Sequence, residues 1–107
     1  MISYEDFKKI ELKTAKVVSA ERVENSDKLV KLEVLLGEEK RQIVAGIGKK
    51  YAPDELIGKT IVIVANLEPR SLMGLESQGM LLAASNESEG PVLLTAMDDI
   101  SEGSEIK

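Results

Sequence analysis

Arg70, Met73, Ser77, Gln78 and Met80 lie in a stretch that leaves one apolar run at Thr60 to Ala65 and enters another at Leu81 to Ala84. The stretch reads Asn66-Leu67-Glu68-Pro69-Arg70-Ser71-Leu72-Met73-Gly74-Leu75-Glu76-Ser77-Gln78-Gly79-Met80. With no helical pattern between the two runs, residues 66–79 are expected to form a loop. Pro69 fixes the chain direction ahead of Arg70, whose guanidinium can fork a phosphate or stack on a base. Gly74 and Gly79 let the main chain approach a sugar-phosphate closely. Ser77 and Gln78 can hydrogen-bond ribose hydroxyls or base edges, and the thioethers of Met73 and Met80 can pack beneath an unstacked base. Taken singly, each has an ordinary structural use: Met80 to start a core strand, Met73 to cap a barrel, Ser77 to hold its own turn. Together they describe the rim of a nucleic-acid site.

Catalysis has few parts available. With Cys 0 and His 0, disulfides, thiolate metal sites, the commonest zinc ligand and the commonest general base are all missing. No G-x-S-x-G or G-x-x-x-x-G-K-[ST] string is present. Gly46-Ile47-Gly48-Lys49-Lys50 resembles half of a glycine-rich loop, without the third glycine or a long helix behind it, and reads as a structural turn. Asp98 and Asp99 are neighbours, so in a strand they point apart and form no acid-base pair. The expectation is a chain without catalysis, metal or cofactor.

The net charge of -5 opposes binding a polyanion if taken whole, but it is unevenly spread. Residues 1–70 hold 13 Lys/Arg and 12 Asp/Glu, whereas residues 71–107 hold 1 basic and 7 acidic residues. A basic face can therefore survive through Lys28, Lys31, Lys40, Arg41, Lys49, Lys50, Lys59 and Arg70. Aromatic content is 3%, too little for the stacking platform of many single-strand binders, which favours a folded RNA read by shape and backbone. The longest apolar runs, Ile61 to Ala65 and Met80 to Ala84, are far shorter than the roughly twenty residues a bilayer requires. Ser3, Glu5, Asp6, Lys8 and Lys9 interrupt the first ten residues, so no leader peptide is expected, and the cytoplasm is the expected compartment.

The elements that must position these residues are short strands. At 107 residues the chain has room for one domain, 1–107. Ser3 can cap a helical turn ending near Lys9. Strand patterns follow from Leu12 to about Val23 and from Val30 to Leu36, the latter alternating with period two. Arg41 to Ile47 reads as the hairpin partner of the second. Pro53-Asp54-Glu55-Leu56 reads as one helical turn, with Pro at its start and acids near its N-terminus. Thr60 to Ala65 is apolar on both faces, as in a central strand, and Met80 to Ala84 and Pro91 to Ala96 follow. This is the pattern of an all-β OB-fold, a closed five-stranded barrel with short helical elements and terminal extensions.

Five blocks in order resemble the tRNA-binding domain family, found at the C-terminus of many methionyl-tRNA synthetases, as free-standing tRNA-binding proteins and in eukaryotic synthetase cofactors. They are Phe7 to Ala15, Asp27-Lys28-Leu29, Arg41 to Ile47, Asn66 to Arg70, and Gly74-Leu75-Glu76-Ser77-Gln78-Gly79-Met80. The resemblance implies an OB barrel that binds tRNA by structure, largely without regard to sequence, and performs no catalysis. It implies that Lys28, Asn66, Arg70, Ser77, Gln78 and Met80 lie at or near the RNA, with Ser77 and Met80 in direct contact; Lys31, Arg41 and Met73 complete the candidate set. A homodimer formed through the barrel edge and terminal segments, and a partner synthetase chain, are also implied. Met1 at the start of the domain favours a free-standing form. Ser71 departs from the pattern, standing where many members carry Lys or Arg. A related branch with the same barrel acts as a secretion-associated, peptide-binding chaperone, and its loop lacks the Ser-Gln-Gly-Met string.

Overall fold

The polar breaks at Asn25–Asp27 and Gly37–Glu38 cut an alternating apolar pattern into three antiparallel strands. These are β1 (Leu12–Arg22), β2 (Val30–Leu36) and β3 (Glu39–Ala45). In the computed structural model, which describes residues 1–107, a helical turn α1 (Tyr4–Phe7) precedes them and a second, α2 (Pro53–Leu56), links β3 to β4 (Thr60–Val64). The chain continues through β5 (Arg70–Leu72), β6 (Leu75–Ser77), β7 (Met80–Leu81), β8 (Ala83–Ala84), β9 (Val92–Leu93) and β10 (Glu105–Ile106). The main sheet runs β3-β2-β1-β4-β7, with β10 added to the start of β1.

β1 is long enough to serve two neighbours. Leu12–Lys16 pair with β4 while Lys16–Arg22 pair with β2, and a register shift between Val17 and Ser19 falls where the strand passes from one partner to the other. Such an irregularity bends a strand and increases its twist, which curls the five strands into a half-barrel of the OB type. Inside lie Ala15, Val17, Val30, Leu32, Val34, Ile43, Ile61, Ile63 and Leu81, with Leu56 of α2 packed against them. Each fully buried Leu, Ile or Val contributes roughly 1.5–3 kcal/mol of transfer free energy. Thr14 is buried but satisfied, donating to the Ser101 carbonyl at 3.0 Å and accepting from the Ser104 amide at 3.0 Å, so it fastens the C-terminal tail to β1.

The structure alters three expectations. The barrel is closed on one side without a strand ladder: between β3 and β7 the seam is bridged by Gln78, whose amide donates to the Gln42 carbonyl at 2.7 Å. The third strand begins at Glu39 rather than Arg41, because Gly37, at φ +65°, allows a two-residue turn. Residues 66–79 are not an unstructured loop, since β5 and β6 form a hairpin turning at Met73 and Gly74, both with positive φ. Leu72 and Leu75 of that hairpin pack against Val23, Leu29 and Val44, a small apolar cluster separate from the main core. Three-residue strands are too short to show a period, and it is this docking that makes them strands.

Candidate nucleic-acid interface

The hairpin places Arg70 opposite Ser77 and Leu72 opposite Leu75, and the chain then enters β7 at Met80. A shallow cleft of about 230 Å³ lies between the hairpin and the end of β3, lined by Ala45, Gly46, Arg70, Leu72, Met80 and Pro91. Arg70 and Met80 are both exposed on its rim. Lys28 joins them from the β1–β2 connection, its Cδ 3.9 Å from the point where a Cβ on Gly46 would sit. Neither Lys28 nor Arg70 takes part in an ion pair. Arg70 and Met80 thus share a cleft with Gly46, and the stem of Lys28 lies against the same glycine.

The Lys28 connection is held firmly. The Gly48 amide donates to the Lys28 carbonyl at 2.7 Å, and Arg22 donates to the Gly48 carbonyl at 2.8 Å. A Cβ at Gly48 would lie 2.9 Å from both the Lys28 carbonyl oxygen and Arg22 Nη1, so only glycine fits. Lys49 and Lys50 follow directly, and Lys49 meets Asp27 at 3.6 Å. Sequence reasoning missed Arg22, Ala45 and Pro91 as parts of this end of the barrel. The Gly-x-Gly spacing of Gly46 and Gly48 was the available signal.

Several expected contact residues face elsewhere. Lys31 meets Glu21, its cross-strand partner, at 2.6 Å, and Lys40 meets Glu33 at 3.7 Å, so the β1–β2–β3 surface is of mixed sign rather than basic. Of the eight cations expected on one side, only Lys28, Lys50, Lys59 and Arg70 have no carboxylate partner, and Lys59 lies by another cleft with Tyr51 and Leu93. Arg41 is half-buried, donating to the carbonyls of Ala65 and Gln78 and, at 2.7 Å, to Glu39. That hydrogen bond and the adjacent Arg41 charge hold the Glu39 carboxyl below its ordinary value of 4.5. Asn66 accepts from the Glu11 amide at 2.9 Å and donates to the Lys9 carbonyl at 2.7 Å, clamping the N-terminal segment with both ends of its side-chain amide. Ser77 is 1% exposed, so its hydroxyl does not reach the surface. Gln78 is half-buried, and its Oε1 accepts from the Gln42 amide at 2.9 Å. Met73, at the hairpin tip, is exposed beside Glu24 and Asn25.

Residues 12–105 match the protein-family model described as "Putative tRNA binding domain". The chain belongs to this family. It is 60% identical over 105 residues to a methionine-tRNA ligase of Caldanaerobacter subterraneus subsp. tengcongensis, an alignment covering 98% of the chain and 16% of the ligase. The chain therefore spans about one sixth of the length of that relative. Among solved structures, the MetRS related protein of Pyrococcus horikoshii superposes with a TM-score of 0.94 at 36% identity, covering 100% of this chain and 98% of that one. The chaperone CsaA of Bacillus anthracis gives 0.91 at 32% identity, covering 100% and 99%. The tRNA-binding-domain fold thus occurs as a chain of about this size and as a part of much larger ligases. No helix of the chain is long and apolar enough to cross a membrane.

Proposed function

We propose that residues 1–107 act as one non-catalytic tRNA-binding module, structure-specific and largely indifferent to sequence, that raises the local concentration of tRNA for methionyl-tRNA synthetase. It does so as a segment of that enzyme or as a separate chain beside it, in the cytoplasm. The observation that carries this reading is the alignment of 98% of the chain with a methionine-tRNA ligase at 60% identity. The Gly46 cleft supports it chemically. Lys28 and Arg70 neutralise phosphates on either side of the glycine, and Met80 packs beneath a base or ribose between them. Five of the expected contacts, Lys31, Arg41, Asn66, Ser77 and Gln78, are engaged in internal hydrogen bonds or ion pairs, so each copy offers a small cationic footprint and modest affinity.

Pairing of two copies offsets that by presenting two sites to one tRNA. Exposed apolar residues at both ends of the chain suit such pairing: Tyr4 and Ile10 line a groove with Ile106, and Met97 is 99% exposed. The test is a mobility-shift titration with bulk tRNA at low and high salt, run beside an unfolded peptide. Retention of tRNA that weakens steeply with salt supports the module. A second reading, a peptide-binding chaperone, is favoured by the likeness to CsaA and by the exposed Met73 and Met80. Capture of the peptide with no tRNA retained at low salt would select it.

A further inference from the structure

Only two polar residues of this chain are buried, Thr14 and Ser77, and Ser77 ends β6, the strand paired with the one that carries Arg70. Its Oγ accepts the Val44 amide at 2.9 Å and donates to the Gly79 carbonyl at 3.0 Å. A hydroxyl has one proton to donate, and here it is committed within the protein. With 1% of the residue exposed, no ribose or base can reach it.

What Ser77 holds is the cation across the ladder. Arg70 is its direct register partner, and Met80 follows three residues later. Neighbouring bonds repeat the attachment: Gln42 Nε2 donates to the Glu76 carbonyl at 2.8 Å, and the Gln42 amide donates to Gln78 Oε1 at 2.9 Å. Gly79, at φ +136°, brings the main chain so close to β4 that a Cβ would lie 2.9 Å from the Val64 carbonyl oxygen. Ser77, Gln78 and Gly79 thus form a latch that replaces the missing β3–β7 ladder and sets the hairpin against β3.

We propose that Ser77 is a positioning residue for the RNA contact: it fixes Arg70 and Met80 on the rim of the Gly46 cleft and does not itself touch the polymer. This rests on the tRNA-binding reading above. A neutral residue acting in this way leaves an electrostatic signature. Freeing the hairpin withdraws Arg70 from its phosphate, so a substitution that removes no charge should still reduce the number of counterions released.

The experiment measures tRNA affinity across a salt series for wild type, Ser77→Ala, Arg70→Ala and the double variant. Ser77→Ala is expected to weaken binding roughly tenfold and to flatten the slope of log affinity on log salt by about 0.7–0.9, the share of one phosphate. The double variant should lose clearly less than the product of the two single losses, because both changes remove the Arg70 contact and only Ser77→Ala also displaces Met80. Gln42→Ala, which releases the Glu76 carbonyl without opening a buried site, should flatten the slope in the same direction. Amide exchange in the free proteins adds a readout independent of RNA: Val44 and the hairpin amides exchange faster in Ser77→Ala, while β1–β2 amides keep their protection. An unchanged slope with multiplicative effects in a folded Ser77→Ala protein would overturn the proposal, as would hairpin amides equally protected in both proteins. A wild type that retains no tRNA at low salt overturns the functional reading instead, and the exchange data still decide whether the latch exists.

Discussion

Arg41 donates to two main-chain carbonyls and to Glu39, whereas Arg70 has no carboxylate partner and stands exposed on the cleft rim. The same guanidinium therefore has opposite uses at two positions. Arg41→Ala leaves half-buried acceptors unpaired and is expected to lower stability by about 1–3 kcal/mol in urea unfolding. Arg70→Ala should change stability by less than about 0.5 kcal/mol, yet weaken all tRNAs alike and reduce the salt slope by about one ion in a mobility-shift series. Unequal losses across tRNAs would show that Arg70 reads a base rather than a phosphate. Glu39 adds a dependence on pH. Its folded-state carboxyl lies below the ordinary 4.5, so its stabilising pairing is fully present above that value and is lost as the pH falls through the lowered one. Thermal midpoints of wild type and Glu39→Gln should differ at neutral pH and converge in acid, and a difference that persists in acid would assign the effect to something other than ionisation.

At the scale of elements, the β5–β6 hairpin depends on a turn and a seam rather than on its own strands. Leu72 and Leu75 dock on Val23, Leu29 and Val44, and Gly79 closes the seam where only a hydrogen atom fits. Gly79→Ala combines an unfavourable backbone conformation with a contact too short to Val64, and should destabilise by roughly 1–3 kcal/mol in denaturant titration. Tolerance of alanine there would mean that the seam opens easily. The long strands were legible in sequence because their apolar residues alternate over seven or more positions, as in Val30, Leu32, Val34 and Leu36. The helical turn Pro53–Leu56 was legible from Pro and two acids at its start. The hairpin was not, since Arg70–Leu72 and Leu75–Ser77 are each too short to carry a period and Met73 adopts a φ that its residue type does not announce.

For the whole molecule, the surface charge and the exposed apolar ends point to separate tasks. The cations left unpaired at one end suit a polyanion, while Tyr4, Ile10 and Met97 suit a second copy. Size-exclusion chromatography with light scattering is expected to give the mass of two chains. Met97→Glu together with Tyr4→Glu should yield a folded monomer that binds tRNA more weakly, because one of two linked sites is lost. A monomeric wild type with undiminished tRNA affinity would remove the dimer from the account.

Residue type and order alone determined the fold class, the longer strands and the family, because alternation, turn residues and the Ser-Gln-Gly-Met string are local properties of the chain. Only the tertiary structure decided which side chains remain free to meet a ligand. Arg41, Asn66 and Ser77 have the chemistry of contact residues, but the packed chain takes up their donors and acceptors on amides and carbonyls from β3, the N-terminal segment and the turn at Gly79. Lys28, Arg70 and Met80 are brought to one glycine by three different connections. Free donors and proximity across the chain are properties of the folded arrangement, and no local pattern encodes them.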